Sequence, residues 1–167
     1  MATWESALAD LVAMRGAALK RYAFLLCGSD TEADDLVQDA LVKAFTRRRR
    51  HEVAHLEQYV RKSMLNLFLD QARRRAIWRR LMPVVAAPAS APDESAGADA
   101  RHDLRAALLT LTPQQRACVV LYYHLDLPVS DIAAQLGCGA GTVKRHLHDG
   151  RRRLVGLLDE EDDHAFR

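Results

Sequence analysis

The chain is poor in the residues that build disulfide scaffolds, β-sheets or membrane spans. Only three of its 167 residues are cysteine, namely Cys27, Cys118 and Cys138, and no two of them form a CxxC pair. An odd number of widely spaced thiols excludes a disulfide framework or a zinc ribbon and predicts reduced side chains. Aromatic residues make up 6% of the chain, and no Val/Ile/aromatic run alternates as a strand would. An all-α fold is the expectation. No apolar run approaches the ~18 residues needed to cross a bilayer, and the first residues carry no signal-peptide pattern, so a cytoplasmic protein without membrane insertion is expected. Catalytic signatures are also missing. No Ser/His/Asp set or phosphate-cradling glycine loop stands out, so no enzymatic activity and no cofactor are expected. His51 and His55 are four residues apart with no further ligand near them in sequence, which predicts no metal site.

Net charge is small, at +2, but its distribution is not. Residues 1–42 carry −4, residues 43–80 carry +9, residues 81–100 carry −3, and residues 101–167 balance at zero. Within that last block, Lys144, Arg145, Arg151, Arg152 and Arg153 cluster against Asp149 alone, and the run Asp159 to Asp163 follows as an acidic tail. Two separate basic patches are the electrostatic footprint of a polyanion binder. Solvated helix faces are the blander reading of either patch taken by itself.

The stretch 83–100 holds three prolines, many alanines and no apolar period, so it reads as a linker. It separates an N-terminal domain, 1–82, from a C-terminal one, 101–160, with an acidic tail at 161–167. In the first domain, Leu8, Leu11, Val12, Leu19, Tyr22, Leu25 and Leu26 recur at helical spacing. Gly28 stops that helix, and Ser29-Asp30-Thr31 can cap the next. Leu36, Val37, Ala40, Leu41, Ala44 and Phe45 mark a second helix. After an Arg-rich break from Arg47 to His55, a third runs from about Leu56 to Arg80. Four short helices are expected in the second domain. Leu104, Leu108 and Leu111 mark the first, and Thr112-Pro113-Gln114-Gln115 opens the second as a capping box. Val119, Val120 and Tyr123 continue that second helix, Pro128 begins the third, and Gly137-Cys138-Gly139 turns into the last.

A short helix, a glycine turn and a helix with basic residues on its outer face form a helix-turn-helix pattern. On the last helix Val143, Leu147, Gly150 and Leu154 share one face, while Lys144, Arg145, His148, Arg151 and Arg152 project elsewhere. That arrangement suits a major groove, with base edges and phosphates both in reach.

With these motifs in order, the sequence resembles the extracytoplasmic-function class of bacterial RNA polymerase sigma factors, most closely the actinobacterial SigE-type subgroup. The resemblance rests on Asp35-Leu36-Val37-Gln38-Asp39-Ala40, Tyr59-Val60-Arg61-Lys62, Asn66-Leu67-Phe68-Leu69-Asp70 and Arg73-Arg74-Arg75 in the first domain. In the second it rests on Leu111-Thr112-Pro113-Gln114-Gln115-Arg116, Asp131-Ile132-Ala133, Leu136-Gly137-Cys138 and Gly141-Thr142-Val143-Lys144. It implies two helical domains, sigma regions 2 and 4, and as partners core RNA polymerase, promoter DNA and an anti-sigma factor. Asp35, Gln38, Asp39 and Val42 are the implied docking face for the clamp helices of the polymerase β′ subunit, with the β subunit as a further core contact. Asn66 is the implied holder of an unstacked base of the −10 element, with Arg73, Arg74, Arg75, Arg79 and Arg80 on phosphates. Lys144, Arg145 and His148 are the implied −35 readers, with Thr142 and Arg151 on the backbone. Asp149 departs from the class, which is often basic there. Tyr59 and Phe68 are expected in the core, and Trp78 is the better aromatic candidate for nucleic acid.

The alternative is a stand-alone helix-turn-helix regulator. It explains the second domain but gives the Asp35–Asp39 face and Asn66 nothing to do. Dependence on core polymerase separates the two readings.

Overall fold

In a computed structural model of the chain, residues 3–47, 55–82 and 98–165 are described, with side chains except at 98–99 and 158–165. The chain divides into two compact units, Met1–Ala91 and Pro92–Arg167. All regular structure among the described residues is helical.

The first unit holds α1 (Trp4–Cys27), α2 (Asp30–Thr46) and α3 (Leu56–Leu81), which pack on one another. The start of α1 is capped by Thr3, whose side chain accepts from the Ser6 amide. It ends at Gly28, which takes a left-handed conformation, with φ 73°, that side chains other than glycine resist. Ser29 follows immediately as the cap of α2, accepting from the Glu32 amide. Two helices are thus joined by a two-residue corner, which forces them to lie against each other. The buried face of α2 is Ala33, Leu36, Ala40 and Ala44, and its three alanines allow close helix approach. Opposite them lie Leu19, Tyr22, Ala23 and Leu26 of α1 and Val60, Met64, Leu65 and Phe68 of α3.

Phe45 and Val12, read from sequence as inward, are exposed. The inward path of α2 steps from residue 33 to 36, 40 and 44, so Phe45 is rotated off it and stands 44% exposed. Every buried residue of α1 comes from its second half, which leaves Val12 on a free flank.

The second unit holds α4 (Ala98–Leu109), α5 (Pro113–Val119), a single π-helical turn (Val120–His124), α6 (Val129–Leu136) and α7 (Ala140–Ala165). α4 begins inside the stretch read as linker. At α5 the capping box is complete, since Thr112 accepts from the Gln115 amide and Gln115 accepts from the Thr112 amide, both at 3.2 Å. Gly137 ends α6 in the left-handed region at φ 66°, and the Cys138 amide donates back to the Ala133 carbonyl at 3.1 Å. This closes the turn between the two helices of the motif. The core is Leu108, Leu111, Ala117, Cys118, Val120, Leu121, Ile132, Val143 and Leu147. At Gly150 α7 comes so close to α5 that a Cβ there would sit 3.0 Å from Val119 Cγ2.

Three sequence expectations change here. The last helix is long rather than short, since no breaker interrupts it and it continues through the acidic run to Ala165. Leu104 is exposed, because α4 buries Leu108 and not the residue one turn earlier. Tyr123 is also exposed, at 57%, because the helix widens into the π turn at its position. Unforeseen in the sequence is Arg116, only 8% exposed, whose Nε donates to the Leu108 carbonyl at 2.9 Å and Nη2 to the Leu111 carbonyl at 3.1 Å. These bonds tie the α4–α5 junction with charge-assisted donors.

Candidate nucleic-acid interface

Three surfaces carry the residues singled out from sequence. On α2, Asp35, Gln38, Asp39 and Val42 are all exposed, on the side away from Ala33, Leu36 and Ala40. Val42 is 62% exposed, an apolar step at the end of an acidic and amide row. Carboxylates and an amide around a bare valine offer a partner charge-assisted hydrogen bonds and a small desolvated contact.

On α3, Asn66 is exposed although its neighbours Met64, Leu65 and Phe68 are buried. Its amide, able both to donate and to accept, therefore faces out from a rigid helix. The arginines beyond it differ from one another. Arg73 pairs with Asp70 at 2.9 Å, and Arg75 reaches across to Glu32 of α2 at 2.8 Å. Arg74, Arg79 and Arg80 are exposed with no acidic partner among the described residues. Phosphate binding by Arg73 and Arg75 would exchange an exposed ion pair, which is worth little in water. Trp78 is 61% exposed among these arginines, whereas Phe68 is buried and Tyr59 half-buried. Of the break between Arg47 and His55, residues 48–54 lie outside the described residues, and so does His51.

On α7, Val143, Leu147 and Gly150 are buried, which turns Lys144, Arg145, His148, Arg151 and Arg152 outward. Thr142 is half-buried at the first turn. Lys144, His148 and Arg151 follow one another at spacings of four and three, so they form one stripe on the helix. Arg151 differs from the rest. Its guanidinium carbon lies 5.4 Å from the Tyr122 ring centroid and 5.5 Å from that of Tyr123, and its Nε donates to the Tyr123 hydroxyl. Arg153, off this stripe, donates to the Thr110 carbonyl at 2.7 Å and fastens α7 to the α4–α5 junction. The sequence places Tyr123 on a helix but gives neither tyrosine a functional role. Their only sign there is two adjacent aromatic residues just before the Asp126-Leu127-Pro128 turn.

A helix-turn-helix with a basic outer stripe, preceded by a three-helix unit with an acidic face and an arginine track, has close counterparts among known proteins. Residues 11–77 match Sigma-70 region 2 and residues 101–154 match Sigma-70 region 4. The RNA polymerase sigma-E factor of Streptomyces coelicolor is 34% identical over 158 residues, covering 92% of this chain and 86% of that protein. The chain belongs to the extracytoplasmic-function group of RNA polymerase sigma factors. The sigma factor SigE of Mycolicibacterium smegmatis is also 34% identical, over 95% of this chain, which spans 62% of that relative's length. Among solved structures, the sigma factor RpoE of Bartonella quintana, crystallised with the anti-sigma factor NepR, matches with a TM-score of 0.70 at 28% identity over 90% of this chain and 96% of that one.

The three surfaces thus fall in named sigma regions. Asp35, Gln38, Asp39, Val42, Asn66 and Arg73 to Arg75 lie in region 2, and the α7 stripe lies in region 4. Arg79 and Arg80 lie beyond the region 2 match, on the same continuous helix. No helix among the described residues is long and apolar enough to cross a membrane.

Proposed function

We propose that this sigma factor binds core RNA polymerase through α2, directs it to promoters through α3 and α7, and makes no phosphodiester bond itself. The observation that carries the reading is the pairing of two chemically opposite surfaces on one chain. An acidic row with an exposed valine suits a basic protein partner, and two exposed basic helix faces suit DNA. A stand-alone regulator needs the second kind of surface only.

In this reading Asp35, Gln38, Asp39 and Val42 dock on the clamp helices of β′. Asn66 holds a base drawn from the −10 stack. Extrusion costs a few kcal/mol, which hydrogen bonds to the flipped base and arginine–phosphate contacts from Arg73, Arg74, Arg75, Arg79 and Arg80 offset. Lys144, Arg145 and His148 read the −35 major groove, with Thr142 and Arg151 on phosphates. The protein acts in the cytoplasm, where the polymerase is. Because the Bartonella sigma factor crystallises in complex with an anti-sigma factor, the same class of partner is assigned here.

Sedimentation of the full chain with core polymerase tests the docking face. The wild type is expected to co-sediment with core. Asp35→Lys/Asp39→Lys is expected to stay free while still binding duplex DNA at low salt. A double variant that co-sediments like the wild type would contradict the assignment of α2.

A further inference from the structure

The turn between α5 and α6 is not a plain helix end. Residues 120–124 widen into one π-helical turn, closed by the Leu125 amide on the Val120 carbonyl at 3.3 Å and by the Leu127 amide on the Leu121 carbonyl at 3.1 Å. Asp126 then takes a left-handed conformation, φ 53°, unusual for a residue with a side chain. A π turn holds more residues than an α turn, and such turns recur at functional sites. Here it brings two consecutive tyrosines to the same guanidinium. The rings of Tyr122 and Tyr123 meet edge to face, with centroids 4.9 Å apart, and Arg151 of α7 stands within 5.5 Å of both.

The Tyr123 hydroxyl occupies Nε of Arg151. The four N–H groups on its two terminal nitrogens have no acceptor among the described residues and remain for an outside one. An arginine side chain is rich in rotamers, and a guanidinium already held in place loses less of that freedom on binding. Nothing in the packing of unit 2 requires Tyr123 to be a tyrosine, since its ring is mostly exposed.

We infer that Tyr123 is a positioning residue for promoter recognition: with Tyr122 it holds the Arg151 guanidinium on the DNA-facing side of α7, ready for a phosphate oxygen beside the −35 element. This inference rests on the sigma-factor reading. It adds to that reading a second element, the π turn, which acts on DNA only through Arg151.

The test is a double-mutant cycle on the holoenzyme, full chain with core polymerase, bound to a promoter fragment from which the wild type transcribes. Affinity is measured across a salt series. Arg151→Ala is expected to weaken binding about tenfold and to lower the salt slope by about 0.9, the signature of one lost phosphate contact. Tyr123→Ala is expected to weaken binding about threefold to tenfold, and to have no effect in the Arg151→Ala background. Tyr123→Phe keeps the ring but loses the hydroxyl, and is expected to fall between wild type and Tyr123→Ala. Additive losses from Tyr123→Ala and Arg151→Ala would mean that Tyr123 meets DNA itself, and would overturn the inference. So would an unchanged salt slope in Arg151→Ala, because the arginine would then be only an internal tie. A wild-type chain that supports no transcription with core overturns the sigma-factor reading, and the inference with it.

Discussion

The tight approach of α7 to α5 at Gly150 offers a quantitative test of how α7 is seated. At Gly150, α7 rests on α5 with room for a hydrogen and little more, since a Cβ would lie 3.0 Å from Val119 Cγ2 and 4.0 Å from Gln115 Cβ. Two effects oppose each other in Gly150→Ala. Replacing a mid-helix glycine by alanine stabilises by about 1 kcal/mol through backbone entropy. Overpacking a tight contact costs about 1–3 kcal/mol. Val119 is buried and cannot swing into solvent, so the clash is expected to win and the unit to lose about 1 kcal/mol. Val119→Ala removes the obstructing methyl groups. By itself it costs about 1.6 kcal/mol at 0.8 kcal/mol per buried carbon. In that background Gly150→Ala keeps its propensity gain without the clash, so it is expected to stabilise by about 1 kcal/mol, a coupling of about 2 kcal/mol. The assay must report on the second unit. Both tryptophans, Trp4 and Trp78, lie in the first, so tryptophan fluorescence is silent here. Native-state hydrogen exchange at the buried helical positions Leu121 and Leu147 reads it directly. Changes at 119 and 150 that add within about 0.5 kcal/mol would refute the contact.

Other outcomes follow from buried polar groups. Arg116→Lys keeps a charge but cannot fork to both carbonyls, so the second unit is expected to lose about 2 kcal/mol, measured by the same exchange experiment. Burial holds the Tyr22 phenol well above its ordinary pKa of 10, with Arg61 pulling the other way. A raised folded-state pKa means the first unit keeps its full stability below about pH 10 and loses it as pH climbs beyond. The Tyr22 hydroxyl has no hydrogen-bond partner among the described residues, so Tyr22→Phe is expected to be at least as stable at pH 7 and to lose less at pH 11. Urea unfolding followed by tryptophan fluorescence checks both, and a neutral-pH loss above about 1 kcal/mol would contradict the burial argument. Cys118 is buried and its thiol is pushed up to about 12, by burial first and the Cys138 sulfur second. At pH 8, iodoacetamide is expected to label half-buried Cys27 and Cys138 before Cys118 by mass spectrometry.

Local signals in the chain were legible where one residue decides one piece of backbone. Gly28 and Ser29 mark the α1–α2 corner, Thr112 to Gln115 the capping box, and Gly137 the helix-turn-helix turn, each because the chemistry lies within four residues. The outward set on α7 could likewise be read from the inward set, since a helix has one period. What stayed hidden depends on neighbours remote in sequence. Phe45 belongs to an apolar run, yet Ala44 takes the inward path. Arg116 is an ordinary charged residue until the α4–α5 junction supplies two carbonyls. Arg151 was readable as basic and outward, but not as seated on Tyr122 and Tyr123, because the π turn that brings the rings together has no local sequence signature. The acidic run after Leu158 reads as a tail in the sequence because charge suggests solvent. Charge does not by itself stop a helix.

Run-off transcription from genomic fragments, with core polymerase and with or without this chain, tests the central claim most directly. The account predicts discrete start sites that appear only with the chain present, and their loss with Asn66→Ala or Lys144→Ala. A chain that binds duplex DNA yet yields no start site with its own host's core polymerase would contradict it and leave the stand-alone regulator.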